Sequence, residues 1–318
     1  MTEAQGPIVV TGGSGQVASA LAVGAAGAAT GGESTDGPRI LRLGRPGFDF
    51  DRPETILPAL REAAPSLVVN AAAYTAVDRA ETEADAALRA NRDGPAALAA
   101  YCAAAGIPLI HISTDYVFDG RKGAPYAETD PTNPTGVYGA SKLAGEQAVL
   151  ASCPRAIILR TSWVYAESGR NFVLTMLNAR TRTDRLRVVA DQIGCPTPAP
   201  DLARVILQII ARIRAQGWDD RYAGQYHAAG EGWTSWHGLA TAVFEEAARH
   251  GMAVPLVEPI ATADWPTPAR RPADSRLDCT RLAETFGLRL PPWRASLSNV
   301  IDRVFQQHQT TPGPLPGR

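Results

Sequence analysis

A short β-branched run, Ile8-Val9-Val10-Thr11, breaks at Gly12-Gly13-Ser14-Gly15 and passes straight into a helix-forming stretch over about 19–28. Strand, tight glycine turn and helix in that order commit the chain to an opening βα unit. Such a unit buries its strand only when others stack beside it as a parallel sheet. The sequence supplies them: strands expected over 39–43, 66–70, 107–112 and 156–160 alternate with helical segments, the longest over 83–105. The expected fold is α/β, a doubly wound parallel (Rossmann) sheet whose strand carboxyl ends form the ligand-binding edge. Residues 24–38, rich in Gly, Ala, Ser and Thr, read as a flexible insertion before the second strand.

The glycine turn suits a phosphate. Gly12 and Gly15 permit close backbone approach, Gln16 and Val17 begin a helix whose first N–H groups are free, and Ala18 is small enough for helix–strand packing. This points to a dinucleotide, the alternative being a plain strand–helix turn. Where an NAD-selective protein places a carboxylate for the ribose 2′-OH, the chain reads Gly44-Arg45. Arg45 or Arg42 is thus either a 2′-phosphate ligand, favouring NADPH over NADH, or a solvated surface arginine. Asp49 and Phe50 follow, with a carboxylate and backbone placed either for an adenine or to cap the next helix. After the third strand, Ala71-Ala72-Ala73-Tyr74 lets a cofactor lie on the backbone. Asn91, inside the long helix, is either a buried hydrogen-bonding residue beside the site or a surface residue.

Tyr138 and Lys142 are spaced to share one helix face. A free phenol titrates near ~10, and bringing it three units lower takes roughly 4 kcal/mol, much of which a neighbouring cation supplies. The pair is a candidate proton donor with its activating group, although the same spacing also occurs on solvated helix faces. Upstream, the fourth strand delivers Ser113-Thr114-Asp115 to the same edge, and a hydroxyl there can bond a carbonyl oxygen.

From about Thr161 the strand–helix alternation becomes irregular, and a smaller C-terminal lobe over 161–308 is expected to bind substrate. It contains Trp163, Asn171, the loop Gln192-Ile193-Gly194-Cys195-Pro196-Thr197, Arg271 and Arg276; residues 201–228 are expected to return to the first domain, residues 1–160. The tail, 309–318, reads as disordered. The balance of 31 Lys+Arg against 32 Asp+Glu gives no reason to expect nucleic acid, and four scattered cysteines without a CxxC pair argue against zinc. Without a membrane-spanning run or leader pattern, the expected location is cytoplasmic.

Gly12-x-x-Gly15-Gln16-Val17, Asn70-Ala71-Ala72-Ala73-Tyr74, Ser113-Thr114-Asp115-Tyr116-Val117-Phe118, Tyr138-x-x-x-Lys142, Arg160-Thr161-Ser162-Trp163, Asp191-Gln192-x-Gly194-x-Pro196-Thr197 and Arg271-Pro272-x-x-Ser275-Arg276 together resemble the dTDP-4-dehydrorhamnose reductase family of extended short-chain dehydrogenase/reductases. The resemblance implies reduction of the 4-keto group of dTDP-4-dehydro-β-L-rhamnose to dTDP-L-rhamnose by NADPH or NADH. It implies that Tyr138 protonates the carbonyl oxygen, that Lys142 lowers the Tyr138 pKa and holds the nicotinamide ribose, and that Thr114 bonds the keto oxygen. Trp163 would pack on the deoxysugar, unless it is an ordinary core tryptophan. Asp115 and Asn171 join the substrate set, Gln192, Pro196 and Thr197 would line the thymidine end, and Arg271 or Arg276 would meet the diphosphate.

Some relatives bridge two subunits through Mg²⁺ held by glutamates. The corresponding positions here are Ala20, Pro200 and Arg294, so no Mg²⁺ and a monomer or weak homodimer are expected. A related ketosugar reductase with another product, a dehydratase or epimerase, and a non-catalytic binding subunit are the competing readings. A dehydratase would carry a glutamate where Tyr116 stands.

Overall fold

The computed structural model describes residues 6–30, 39–179 and 182–310. Six strands, β1 (Ile8–Thr11), β2 (Ile40–Leu43), β3 (Leu67–Asn70), β4 (Leu109–Thr114), β5 (Ala156–Thr161) and β6 (Gly224–His227), form one sheet in the order β6-β5-β4-β3-β1-β2. Every pairing in it is parallel. Chain order reverses between β1 and β3, so the crevice outside their carboxyl ends is the switch point where such sheets take ligands.

The period-2 alternation of the strands feeds two cores. Ile8, Val10, Leu67 and Val69 face α1 (Gln16–Thr30) and α5 (Ala199–Gln216), packing with Leu21, Leu202, Ile206 and Ile209. Val9 and Val68 face the other way, against Leu60 of α2 (Ile56–Ala63) and Leu98 and Cys102 of α3 (Gly94–Ala105). At about 1.5–3 kcal/mol per fully buried aliphatic side chain, two covered faces overcome the weak preference of four-residue strands. The apolar runs stop where polar residues begin, so Thr11, Asn70, Thr114 and Thr161 all end their strands on one edge.

Helix α1 continues through Thr30, which corrects the expectation of a flexible insertion from residue 24; residues 31–38 lie outside the described residues. Ala25 and Ala26 favour helix, and Gly24 has a packing role: a Cβ there would come 2.9 Å from Leu207 of α5. Ahead of α3, the helix Ala84–Leu88 runs into a π-helical turn, Arg89–Asp93, which buries Asn91. The helix bearing Tyr138 is α4 (Val137–Ser152).

Beyond β5 a third apolar cluster joins the helices Phe172–Ala179, Trp236–Arg249 and Trp293–Thr310 through Leu174, Leu177, Val243, Phe244, Leu297 and Ile301. Strand Arg185–Val189 pairs in parallel with Leu256–Ile260 beside it. The last helix reaches Thr310, beyond the expected start of a disordered tail, and the remainder of that tail lies outside the described residues. Among the described residues no helix is long and apolar enough to cross a membrane.

Candidate active site

Glycine geometry prepares a cradle at the switch point. Gly12 has φ +102°, and a Cβ on it would stand 2.9 Å from the Ala71 carbonyl oxygen. A Cβ on Gly44 would stand 2.8 Å from Gly13 Cα. The ends of β1, β2 and β3 therefore meet as bare backbone, roofed by the first turn of α1, where Gln16 and Val17 sit and no acidic side chain opposes an anion. A dinucleotide phosphate fits this donor set. Beneath it, Thr11 Oγ1 donates to Asn70 Oδ1 at 2.6 Å, and Asn70 Nδ2 meets His111 Nδ1 at 2.8 Å.

The walls follow the chain. Ala71-Ala72-Ala73 leave β3 with only methyl side chains, and the backbone of Tyr74 is fixed by Asn91, which accepts from its N–H at 2.8 Å and donates to its carbonyl at 3.0 Å. Of the two readings of Asn91, the buried one holds. At the adenosine end, Arg45 is exposed and forked by Asp49 at 3.0 Å and Asp51 at 2.7 Å, while Arg42 Nη1 reaches Gly13 O at 3.3 Å. Phe50 puts its ring into the core against Phe48, leaving only its backbone for a base.

Thr114 ends β4, and Tyr138 and Lys142 lie on α4 against the same strand. Thr114 Oγ1 donates to Asp115 Oδ1 at 3.0 Å, and the same hydroxyl lies within hydrogen-bonding reach of the Tyr138 phenol. Lys142 is 2% exposed and its Nζ donates to the Ile112 carbonyl at 2.7 Å. Burial pushes the Tyr138 phenol up to about 12, with the Thr114 bond opposing and Asp115 reinforcing. The expected lowering by Lys142 is absent from this geometry, because desolvation dominates and the ammonium is turned to Ile112. Burial also draws Lys142 down to about 8, against the charge of Glu146. Tyr138 here is a phenol that keeps its proton, and Lys142 an ammonium that holds its charge near neutrality.

Asp115 is buried beneath this group and is raised by burial to about 6, while the hydroxyls of Ser275, Ser162 and Thr114 pull it back. Ser162 donates to its second oxygen at 3.0 Å. Asp115 is therefore an anchor for Thr114, with no free oxygen turned outward for a substrate. Gly139 is obligatory, since a Cβ there would lie 2.2 Å from the Tyr116 carbonyl oxygen and lever α4 away.

The remaining candidates separate. Trp163 adopts φ +48° and stacks on Trp236, ring centroids 3.5 Å apart and planes within 6°, with its indole against the bare backbone of Gly194. Gln192 accepts from Trp236 Nε1 at 3.2 Å. Thr197 is fully buried, its hydroxyl spent on Cys195 O and Gly230 N, and Pro196 O lies against Gly230, so both shape the loop from within. Asn171 Oδ1 accepts from Leu174 N at the start of its helix, while Nδ2 donates to Gln16 Oε1 at 2.9 Å. That bond ties the second lobe to the glycine turn. Arg271 bonds Asp78 at 2.8 Å and its charge reaches the Tyr116 phenol, whose ring meets Tyr138 edge-on. Arg276 is instead forked by Asp274 and lies over Trp233, lining a separate cavity of about 330 Å³. Sequence reasoning missed Trp236 and Glu146, the latter signalled by its place four residues after Lys142, and gave no role to Ser162 and Ser275, although both stand in the motifs quoted above.

A switch-point glycine cradle with a Tyr–Lys pair and a strand-end threonine beside it defines an NAD(P)H-dependent oxidoreductase of the extended short-chain dehydrogenase/reductase type. Residues 6–306 match the family model described as RmlD substrate binding domain, and the chain belongs to the dTDP-4-dehydrorhamnose reductase family. It is 46% identical over 294 residues to the dTDP-4-dehydrorhamnose reductase of Sinorhizobium fredii, covering 92% of this chain and 96% of that one. With the Mycobacterium tuberculosis enzyme of the same name it shares 40% over 300 residues, 92% of each. Its fold superposes with a TM-score of 0.84 on the dTDP-4-dehydrorhamnose reductase of Clostridium acetobutylicum, at 35% identity and covering 94% and 99% of the two chains. The Bacillus anthracis reductase, solved in complex with NADP, gives 0.83 at 30% identity, covering 94% and 100%. Reductase and cofactor class, expected from the sequence, are thereby upheld.

Proposed function

We propose that the chain reduces the 4-keto group of dTDP-4-dehydro-β-L-rhamnose to dTDP-L-rhamnose, with NADPH favoured over NADH. The observation that carries this reading is the convergence of Thr114, Tyr138 and Lys142 beside the glycine cradle, in a chain so close to reductases of that name. Gly12, Gly15, Gln16 and Val17 hold the pyrophosphate, Ala71 to Tyr74 carry the nicotinamide half on their backbone, and Lys142 takes the ribose. When bound, the reduced nicotinamide supplies the electron pair for the carbonyl carbon.

Tyr138 then donates its proton to the carbonyl oxygen. A phenol near 12 stays protonated until that oxygen gains negative charge and becomes the stronger base, so transfer is timed to the reduction. Thr114 assists by rotating its hydroxyl from Asp115 to the same oxygen. Lys142 compensates the phenolate that remains. Arg271, the arginine on the Tyr138 side, meets the diphosphate, and the Trp163–Trp236 pair offers a flat apolar face to the deoxysugar. On this reading residues 161–308, apart from α5 and β6, form the sugar-nucleotide lobe, and the chain works in the cytoplasm as a monomer or weak homodimer without Mg²⁺.

The test is NADPH consumption with enzymatically prepared dTDP-4-keto-L-sugar, followed by NMR of the product. One equivalent oxidised per ketone with the rhamno configuration at C4 supports the proposal; a talo product or no turnover refutes it.

A further inference from the structure

Glu146 lies four residues beyond Lys142 and eight beyond Tyr138, so all three fall along one stripe of α4. Its side chain is 1% exposed and its partner, Arg160, 2%. Arg160 Nε bonds both carboxylate oxygens, at 3.0 and 3.2 Å, and Nη2 bonds Oε2 at 2.7 Å. Ser113 Oγ donates to Oε1 at 2.5 Å. Ser113 precedes Thr114 on β4 and stands opposite Arg160 on β5. One carboxylate therefore ties the helix bearing Tyr138 and Lys142 to the strand bearing Thr114 and to the strand that leads into Ser162 and Trp163.

Stability does not account for such a pair. Desolvating two charges costs several kcal/mol per ion, and apolar residues of similar volume hold a helix to a sheet as well or better. Apolar residues cannot, however, place a fixed negative charge beside a buried ammonium.

We propose that Glu146, its carboxylate fixed by Arg160 and Ser113 one helical turn from Lys142, is a positioning residue for Lys142 that sets the upper pH limit of cofactor binding and turnover. Its turnover arm rests on the reductase reading above, and its binding arm does not. The groups around Lys142 leave this task to Glu146. On β4, His111 is buried and stays neutral, held down by desolvation and by the Lys142 charge itself. On α4, Tyr138 keeps its proton. Arg160 on β5 forks the same carboxylate, and of that pair it is Glu146 whose charge bears on Lys142. Burial draws the ammonium down to about 8, and Glu146 is the charge that pulls the other way.

Two variants test this, Glu146→Gln and the double variant Glu146→Gln with Arg160→Gln, whose paired amides bury no net charge. Each is read by the pH dependence of NADPH affinity, followed by nucleotide fluorescence, and by the pH profile of kcat/KM. In the double variant the basic limb of both profiles is expected about one pH unit lower or more, with NADPH affinity at pH 6.5 within about threefold of wild type. The single variant leaves Arg160 uncompensated, so it also loses thermal stability and its limb moves further. A folded double variant with the wild-type limb overturns the proposal, and so does failure of both variants to fold, which would assign the pair to folding alone. A shifted binding limb in a protein that reduces no ketosugar, wild type included, would sink the substrate reading and leave this one standing.

Discussion

The carboxamide of Asn91 grips the backbone of Tyr74 from both sides, its oxygen taking the N–H at 2.8 Å and its nitrogen giving to the carbonyl at 3.0 Å, while its other hydrogen reaches Ser141 at 2.9 Å. One side chain thus joins the loop after β3 to the helix of Tyr138 and Lys142. Asn91→Ala strands two backbone groups, at about 1–3 kcal/mol each where water cannot reach them. The expected outcome is about 3 kcal/mol less stability in urea unfolding, with weaker NADPH binding by titration. Stability within about 0.5 kcal/mol of wild type would refute the clamp.

Tyr138→Phe removes the proposed proton donor and little else, since the ring still packs edge-on against Tyr116. Steady-state kinetics are expected to show kcat reduced about 10²–10⁴-fold with KM for both substrates within a few fold. An equal loss in kcat and in substrate affinity would contradict a role confined to the proton step.

Asp115 carries a pH signature. Its folded-state value is raised from 3.8 to about 6, so between those limits the native protein binds more protons than the unfolded chain. Its contribution to stability therefore falls as pH rises through that window and stays low above it, a deficit on the order of 3 kcal/mol. Asp115→Asn should melt at an equal or higher temperature than wild type at pH 7.5, with the advantage vanishing towards pH 4. Its kcat should fall at least about tenfold as Thr114 loses its anchor. A thermal advantage that persists at pH 4 would remove Asp115 as its cause.

On the proposed reading Arg45, which bonds the carboxylates of Asp49 and Asp51, shares its fork with a 2′-phosphate. Arg45→Ala is expected to raise KM for NADPH about tenfold and leave KM for NADH nearly unchanged, as the loss of one charge-assisted contact predicts. Parallel changes for both cofactors would relocate the 2′-phosphate contact to Arg42.

What could be read from the residues divides by range. The sheet, the glycine turn and the Thr114–Tyr138–Lys142 group follow from local periodicity and spacing, and the fold places all three at one edge. The direction of the Thr114 hydroxyl was not legible, because Ser162 and Ser275 reach Asp115 only through the fold. Thr197 and Arg276 illustrate a second limit. A motif reports that a segment borders a site, whereas burial decides which of its side chains faces inward, and Thr197 is sealed while Arg276 turns to Trp233. The helix over 24–30 was obscured by its glycines, of which Gly24 is explained by the approach of Leu207.

The π-turn at Arg89–Asp93 has a cost in phase. Each residue of an α-helix advances about 100°, so a surplus residue rotates all that follows by roughly that angle, and Leu98 and Cys102 meet the sheet only because it is there. Excising one residue between 89 and 93 would give an ideal helix with its apolar stripe facing water and Asn91 withdrawn from Tyr74. Regular geometry and chemistry are in opposition at this turn, and the chain has kept the irregular winding.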